Sequence, residues 1–99
     1  MSDIFPNLNP KVETQSFLKN KYSRLERRNQ AFVFRNNANG LYVRRTITDG
    51  KVIFDDVPLS EASGFKFISL KAIASMIPQL DITVQMAYRD NKTRKICVK

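Results

Sequence analysis

The sequence contains no His and no Trp, a single Cys, and only three Gly among its 99 residues. Each shortage excludes a class of chemistry. Without His, a Ser–His or Cys–His catalytic pair lacks its usual general base, and His-ligated metal sites cannot be built. One Cys, Cys97, cannot close an internal disulfide or supply a zinc-finger ligand set. It reads as a small apolar residue in a terminal strand and suits a reducing compartment. The glycines Gly40, Gly50 and Gly64 are widely spaced, so no Gly-rich phosphate loop is present. No apolar run approaches the ~18 residues of a transmembrane helix. Met1-Ser2-Asp3-Ile4-Phe5-Pro6 lacks the basic and apolar regions of a signal peptide. The expectation is a soluble intracellular protein, cytoplasmic or nuclear, with virion association left open. No cofactor, metal or membrane partner is expected, and the protein is expected not to be an enzyme.

What is present is positive charge. Seventeen Lys and Arg face nine Asp and Glu, a net charge of +8. The charge is segregated. Residues 1–29 carry +3, 30–54 carry +3, 55–81 carry −2 and 82–99 carry +4. A length of 99 residues suits one small domain with one modest core. Segregated basic charge on such a domain is the electrostatic footprint of a nucleic-acid binder.

Three zones follow. Residues 1–14, with Pro6, Pro10, Asn7 and Asn9, read as a flexible tail. Residues 15–30 are the most basic stretch, with Lys19, Lys21, Arg24, Arg27 and Arg28 against Glu26 alone. Leu18, Tyr22 and Leu25 fall at i, i+4 and i+7, which predicts a basic amphipathic helical arm with Ser16 as N-cap. It serves either as a solvated helix docked by three apolar residues or as an arm that neutralises phosphate.

Residues 31–99 form the third zone, a single β-rich domain. Asn39-Gly40 and Asp49-Gly50 are strong type I′ hairpin dipeptides between runs rich in Val, Ile, Phe, Tyr and Thr. They predict a meander of strands at 31–38, 41–48 and 51–57. A short strand is predicted at 65–69. Leu70, Ile73, Ala74 and Ile77 follow a helical period that Pro78 should end. Residues 82–89 alternate as a half-buried strand, Asp90 to Thr93 form a turn, and 94–98 return. The fold class is α+β: an antiparallel meander with a short helix packed on it and a C-terminal hairpin.

Two-residue turns fix register. Around Asp49-Gly50, Ile47 opposes Val52, Arg45 opposes Phe54 and Arg44 opposes Asp55. Around Asn39-Gly40, Phe32 opposes Ile47, Phe34 opposes Arg45 and Arg35 opposes Arg44. One face then carries Phe32, Phe34, Val43, Ile47, Val52 and Phe54 as core, with Arg45 snorkelling or stacked on a ring. The other face is basic and hydroxyl-rich. Two arginines directly opposite destabilise a sheet unless an anion lies across them. The expected phosphate contacts are Arg35, Arg44, Lys51, Lys66, Arg94 and Lys95, with the arm residues adding sequence-independent affinity. Tyr42 would stack on a base, while Tyr88 shares the Ile82-Val84-Met86 face and is expected in the core.

Residues 41–80 resemble the core of the positive cofactor four family of single-stranded-DNA-binding transcriptional coactivators. The resemblance rests on Tyr42-Val43, on Asp49-Gly50-Lys51-Val52-Ile53-Phe54-Asp55, and on Gly64-Phe65-Lys66-Phe67-Ile68-Ser69-Leu70 leading into a helix. It places Lys51 and Lys66 at the family's basic positions. Phe67 stands where the family has Gly, and Pro78 shortens the helix. The resemblance implies a homodimer whose β-ribbons clasp unpaired strands. Three strands, a helix and two strands is also the element order of an OB-fold, which binds single strands as well. Both point to a non-enzymatic binder of single-stranded nucleic acid, DNA favoured over RNA, acting in replication or transcription as a homodimer or higher oligomer. The alternative is a structural or protein–protein interaction module, such as a small viral or accessory subunit, with an acidic partner.

Overall fold

A computed structural model of the protein describes residues 18–99. The tail expected at 1–14 and the N-cap expected at Ser16 lie outside those residues. The described elements are a helical turn at 18–21, α1 (Arg24–Asn29), β1 (Ala31–Asn36), β2 (Tyr42–Thr48), β3 (Lys51–Val57), α2 (Leu70–Met76), β4 (Ile82–Arg89) and β5 (Ile96–Val98). Short 3-10 turns occupy Leu59–Glu61 and Phe67–Ser69. The five strands form one antiparallel sheet in the order β3-β2-β1-β4-β5, so β3 and β5 are its edges.

The basic arm is not one helix. Ser23 interrupts it because Ser23 and Glu26 form a capping box. The Ser23 Oγ accepts from the Glu26 N–H at 3.1 Å, and the Glu26 carboxylate accepts from the Ser23 N–H at 2.9 Å. The break separates residues that a continuous helix would align. Leu18 and Tyr22 are buried, whereas Leu25 is 68% exposed.

The two hairpin dipeptides behave differently. Asp49 and Gly50 both have positive φ (52° and 76°), as a type I′ turn requires. The expected Ile47–Val52, Arg45–Phe54 and Arg44–Asp55 pairs therefore form. At Asn39-Gly40 only Gly40 has positive φ, 75°. Asn36 organises a longer loop there. Its side-chain oxygen accepts from the Ala38 N–H at 3.0 Å and its carbonyl from the Gly40 N–H at 2.8 Å. The register shifts by two, and Arg35 opposes Tyr42 instead of Arg44. The expected Arg35–Arg44, Phe32–Ile47 and Phe34–Arg45 pairs do not exist.

Beyond the Arg35–Tyr42 pair, β2 leaves β1. Phe65 takes its place, and Phe32 and Phe65 exchange two backbone hydrogen bonds of 2.8 Å. The strand expected at 65–69 is therefore a single bridge, after which the chain turns through Phe67–Ser69 into α2. Pro78 ends that helix as expected, with Ile77 already extended (φ −78°, ψ 144°). The segment 94–98 is strand only from Ile96, because Arg94 has φ 64° and belongs to the turn.

One core forms on one face of the sheet. Phe32, Phe34 and Val43 meet Ile82, Val84 and Met86 of β4, Leu70, Ile73 and Ala74 of α2, and Leu18, Tyr22 and Phe65. Phe32 and Phe34 are fully buried, so truncating either to Ala costs about 3–5 kcal/mol. Two residues expected in this core are outside it: Ile47 is 66% and Val52 43% exposed. Both lie on the part of the β2–β3 hairpin that projects past β1. Tyr88 is also outside, at 42% exposure. β1 ends at Ala31 opposite Ala87, so only β5 flanks Tyr88.

Candidate nucleic-acid interface

The arm is fastened to the sheet by Tyr22. Its hydroxyl donates to the Lys99 carbonyl at 2.6 Å and accepts from the Met86 N–H at 3.3 Å. Its ring packs edge-on against Phe32, with centroids 5.6 Å apart. Lys99 adds an ion pair to Glu26 at 3.1 Å. The Glu26 carboxyl is held below its ordinary range, first by the Ser23 backbone N–H and then by Lys99. α1 consequently lies against the segment that links the Phe65 bridge to α2.

These two segments enclose a cleft of about 360 Å³ lined by Arg24, Arg27, Arg28, Lys66, Phe67 and Ile68. Four of these six described lining residues are cationic and none is acidic. Arg27 is structural. Its guanidinium donates to the carbonyls of Lys19 (3.0 Å) and Tyr22 (2.6 Å) and lies 5.5 Å from the Phe67 ring centre. The side chains of Arg24, Arg28 and Lys66 are exposed and make no hydrogen bond or ion pair with another described residue. Phe67 is half-buried against Phe32, and Ile68, at 84% exposure, forms an apolar lip. The site can therefore offer three exposed positive charges to an anion and an aromatic-apolar surface to whatever the anion is attached to.

The outer sheet face is arranged differently. Arg35 and Tyr42 sit opposite each other, with Arg44 two residues along β2 on the same side. All three have partners. Arg35 donates to the Asn37 side-chain oxygen at 2.6 Å, and the Tyr42 hydroxyl donates to Gln85 at 2.8 Å. Arg44 forks onto Asp55 at 2.9 and 3.3 Å and reaches Glu61 at 3.3 Å. The hydrogen bond and charge of Asp55, then the charge of Glu61, raise the Arg44 pKa. An incoming phosphate must displace two carboxylates there.

The remaining sequence-predicted residues are dispersed. Lys51 begins β3 at one sheet edge, while Arg94 and Lys95 belong to the turn before β5 at the other. The Arg94 carbonyl accepts from Arg89 at 2.6 Å, closing that turn. Lys19 and Lys21 are exposed, and the Lys21 ammonium stands 5.3 Å from the Tyr22 ring centre. The structure thus brings together Arg24, Arg27, Arg28 and Lys66 from two separate predicted segments. Phe67 and Ile68 were missed as site residues. Their signal was an apolar pair directly after Lys66, which the strand expected at 65–69 had absorbed. Arg45, expected to snorkel or stack, lies 5.1 Å from the Phe65 ring centre.

Among the described residues, no group of three His, Cys, Asp or Glu could hold a metal ion, and no helix is long and apolar enough to cross a membrane. The chain was compared with protein-family models, curated proteins and solved structures, and none of the three comparisons finds a match.

Proposed function

We propose that this chain is a non-enzymatic, sequence-independent binder of single-stranded nucleic acid, DNA in preference to RNA, and that the cleft between α1 and residues 66–68 is its principal contact. One observation carries the reading: Arg24, Arg28 and Lys66 converge on a cleft with Phe67 and Ile68, and no carboxylate among the described lining residues neutralises them. A phosphate accepts charge-assisted hydrogen bonds from the three cations while an unpaired base lies against the apolar surface. A duplex keeps its bases stacked inside and cannot make the second contact. The element order of three strands, a helix and two strands supports the same ligand class, since OB-type proteins bind single strands. The resemblance of residues 41–80 to the positive cofactor four family points the same way.

Fluorescence anisotropy with a short labelled oligothymidine tests this across a salt series. Affinity should fall steeply as salt rises, because each neutralised phosphate releases counterions. Single strands should bind more tightly than a duplex of equal length. Affinity that is flat with salt, or equal for duplex and single strand, overturns the reading.

A further inference from the structure

The outer part of the β2–β3 hairpin is a two-stranded ribbon. Every residue from Arg45 to Ile53 is exposed, including Ile47 (66%), Val52 (43%) and Ile53 (48%). Among the described residues, β2 has no strand on its other side beyond Arg45, and β3 is a seven-residue sheet edge. An isolated two-stranded ribbon is marginal in water, and an apolar free edge invites another strand. The backbone fixes which groups are available. Thr48 and Lys51 close the two-residue turn as a hydrogen-bonded pair, so Lys51, Ile53 and Asp55 direct their backbone groups towards β2. Val52, Phe54 and Asp56 direct theirs outward to the open edge.

We propose that two copies of this chain associate through antiparallel pairing of β3 with β3, with the twofold axis at Ile53. Only registers that place outward residues opposite outward residues satisfy the ladder, so the twofold passes through a residue; axes at Ile53, Phe54 and Asp55 keep at least five of the seven β3 residues paired, and the one at Asp55 sets two carboxylates face to face. Side-chain chemistry separates them. A twofold at Phe54 sets Val52 against the second copy's Asp56 and Ile53 against its Asp55. A twofold at Ile53 sets Lys51 against the second copy's Asp55, Val52 against its Phe54, and Ile53 against its own counterpart. All five rows are then complementary: ionic, apolar, apolar, apolar, ionic. On one face Ile47 and Val52 continue into the second copy's Phe54. The two five-stranded sheets become one continuous sheet, and the exposed apolar residues of the ribbon are covered. A single strand pairing is a small interface, so the dimer is concentration-dependent.

The test is sedimentation of the full chain, free of nucleic acid, over a concentration series. The expected result is a reversible transition from one to two chain masses. Ile53→Lys places two like charges face to face at the axis and should weaken association by at least about tenfold. Tyr88→Lys, which alters a residue 42% exposed on β4, three strands from β3 in the sheet order, should leave it unchanged. Cysteine trapping reads the register even if a charged variant misfolds. In a Cys97→Ser background, Ile53→Cys faces its own counterpart in a non-hydrogen-bonded pair, where Cβ atoms lie about 4.5–5.5 Å apart, and should cross-link under mild oxidation. Val52→Cys faces Phe54 and should not. A single chain mass at all concentrations overturns the proposal. So does association only when an oligonucleotide is added, or equal cross-linking at positions 52 and 53. None of these outcomes bears on whether the cleft binds single strands.

Discussion

The cleft and the outer sheet face contain the same kind of side chain in opposite circumstances. Arg44 on the sheet is forked onto Asp55 and touches Glu61. Arg24, Arg28 and Lys66 in the cleft have no carboxylate among the described lining residues. Both regions stand out in a count of basic residues, yet only one presents charge that a phosphate can take without first displacing a described acid. Local net charge, and not the number of arginines, decides where a polyanion settles. The same distinction operates inside the cleft, where Arg27 is committed to two backbone carbonyls and to Phe67.

The strongest way to break this comparison is to empty the cleft. An Arg24→Ala/Arg28→Ala/Lys66→Ala variant should lose roughly 10- to 100-fold in oligonucleotide affinity at low salt. The log–log salt slope should become shallower by about 2, near 0.7 per lost single-strand phosphate contact. Thermal stability should hardly move, since none of the three side chains is buried or bonded to another described residue. Anisotropy and a melting curve on the same sample check both halves. Unchanged affinity would move the binding surface elsewhere.

The next largest effect concerns the fastening of the arm. Tyr22→Phe keeps the buried ring but removes the hydroxyl that serves the Lys99 carbonyl and the Met86 N–H. Leaving those two groups unpaired should cost about 1–3 kcal/mol, read from urea unfolding. Folded variant should still bind, because the cleft cations are untouched. A loss of affinity at full foldedness would mean that the α1 wall must be held rigidly for binding.

How much of this was legible beforehand depends on what fixed each feature. Where a local signal was self-sufficient, the reading held. Asp49-Gly50 set its turn and the whole β2–β3 register, and Pro78 ended α2. Where two local signals competed, periodicity lost to hydrogen bonding. The Ser23–Glu26 capping box broke the helix that Leu18, Tyr22 and Leu25 had suggested. The Asn36 side chain rebuilt the Asn39-Gly40 turn and moved Arg35 from Arg44 to Tyr42. The cleft was only half legible. Arg24, Arg27, Arg28 and Lys66 each stood out as basic, but their convergence depends on Tyr22 reaching Met86 and Lys99 across more than sixty residues of sequence. No periodicity encodes a contact of that range. Tyr88 and Ile47 illustrate the reverse error. Alternation showed which side of the strand they share with the core, but not that the core ends before reaching them.

Acid offers a third, smaller probe, on the carboxylate side of the comparison. Burial pushes the Asp56 carboxyl up, but hydrogen bonds from Gln79, Asn39 and Asn36 outweigh it and leave the pKa lowered. These contacts tie β3 to the β1–β2 loop and to the segment before β4, with Gln79 at 2.9 Å and Asn39 at 3.0 Å. A lowered folded pKa gives stability that is present above the unfolded value of about 3.9 and is lost as pH falls through the folded one. Asp56→Asn should therefore be less stable than the parent at pH 7, with the difference closing in the window below about pH 4. A gap that persists at the lowest pH would assign the effect to shape and not to charge.

The smallest expected effect is the most direct comparison of the two regions. Arg44→Ala removes one positive charge, as each cleft substitution does, but it releases Asp55 and Glu61 at the same time. The local field on the sheet face changes from nearly balanced to negative, while the cleft is unaltered. Oligonucleotide affinity should stay within about twofold of the parent, and the salt slope should not change, because no phosphate contact is lost. The melting temperature should fall slightly, and the fall should shrink in high salt, as for any exposed ion pair. Adding Asp55→Asn to Arg44→Ala should restore most of the small affinity loss by removing the uncovered carboxylate. If Arg44→Ala alone instead matches the cleft triple variant, then phosphate does displace Asp55 and Glu61. The sheet face, with Arg35 and Tyr42 beside Arg44, would then be the binding surface that the opposed-arginine pattern first suggested.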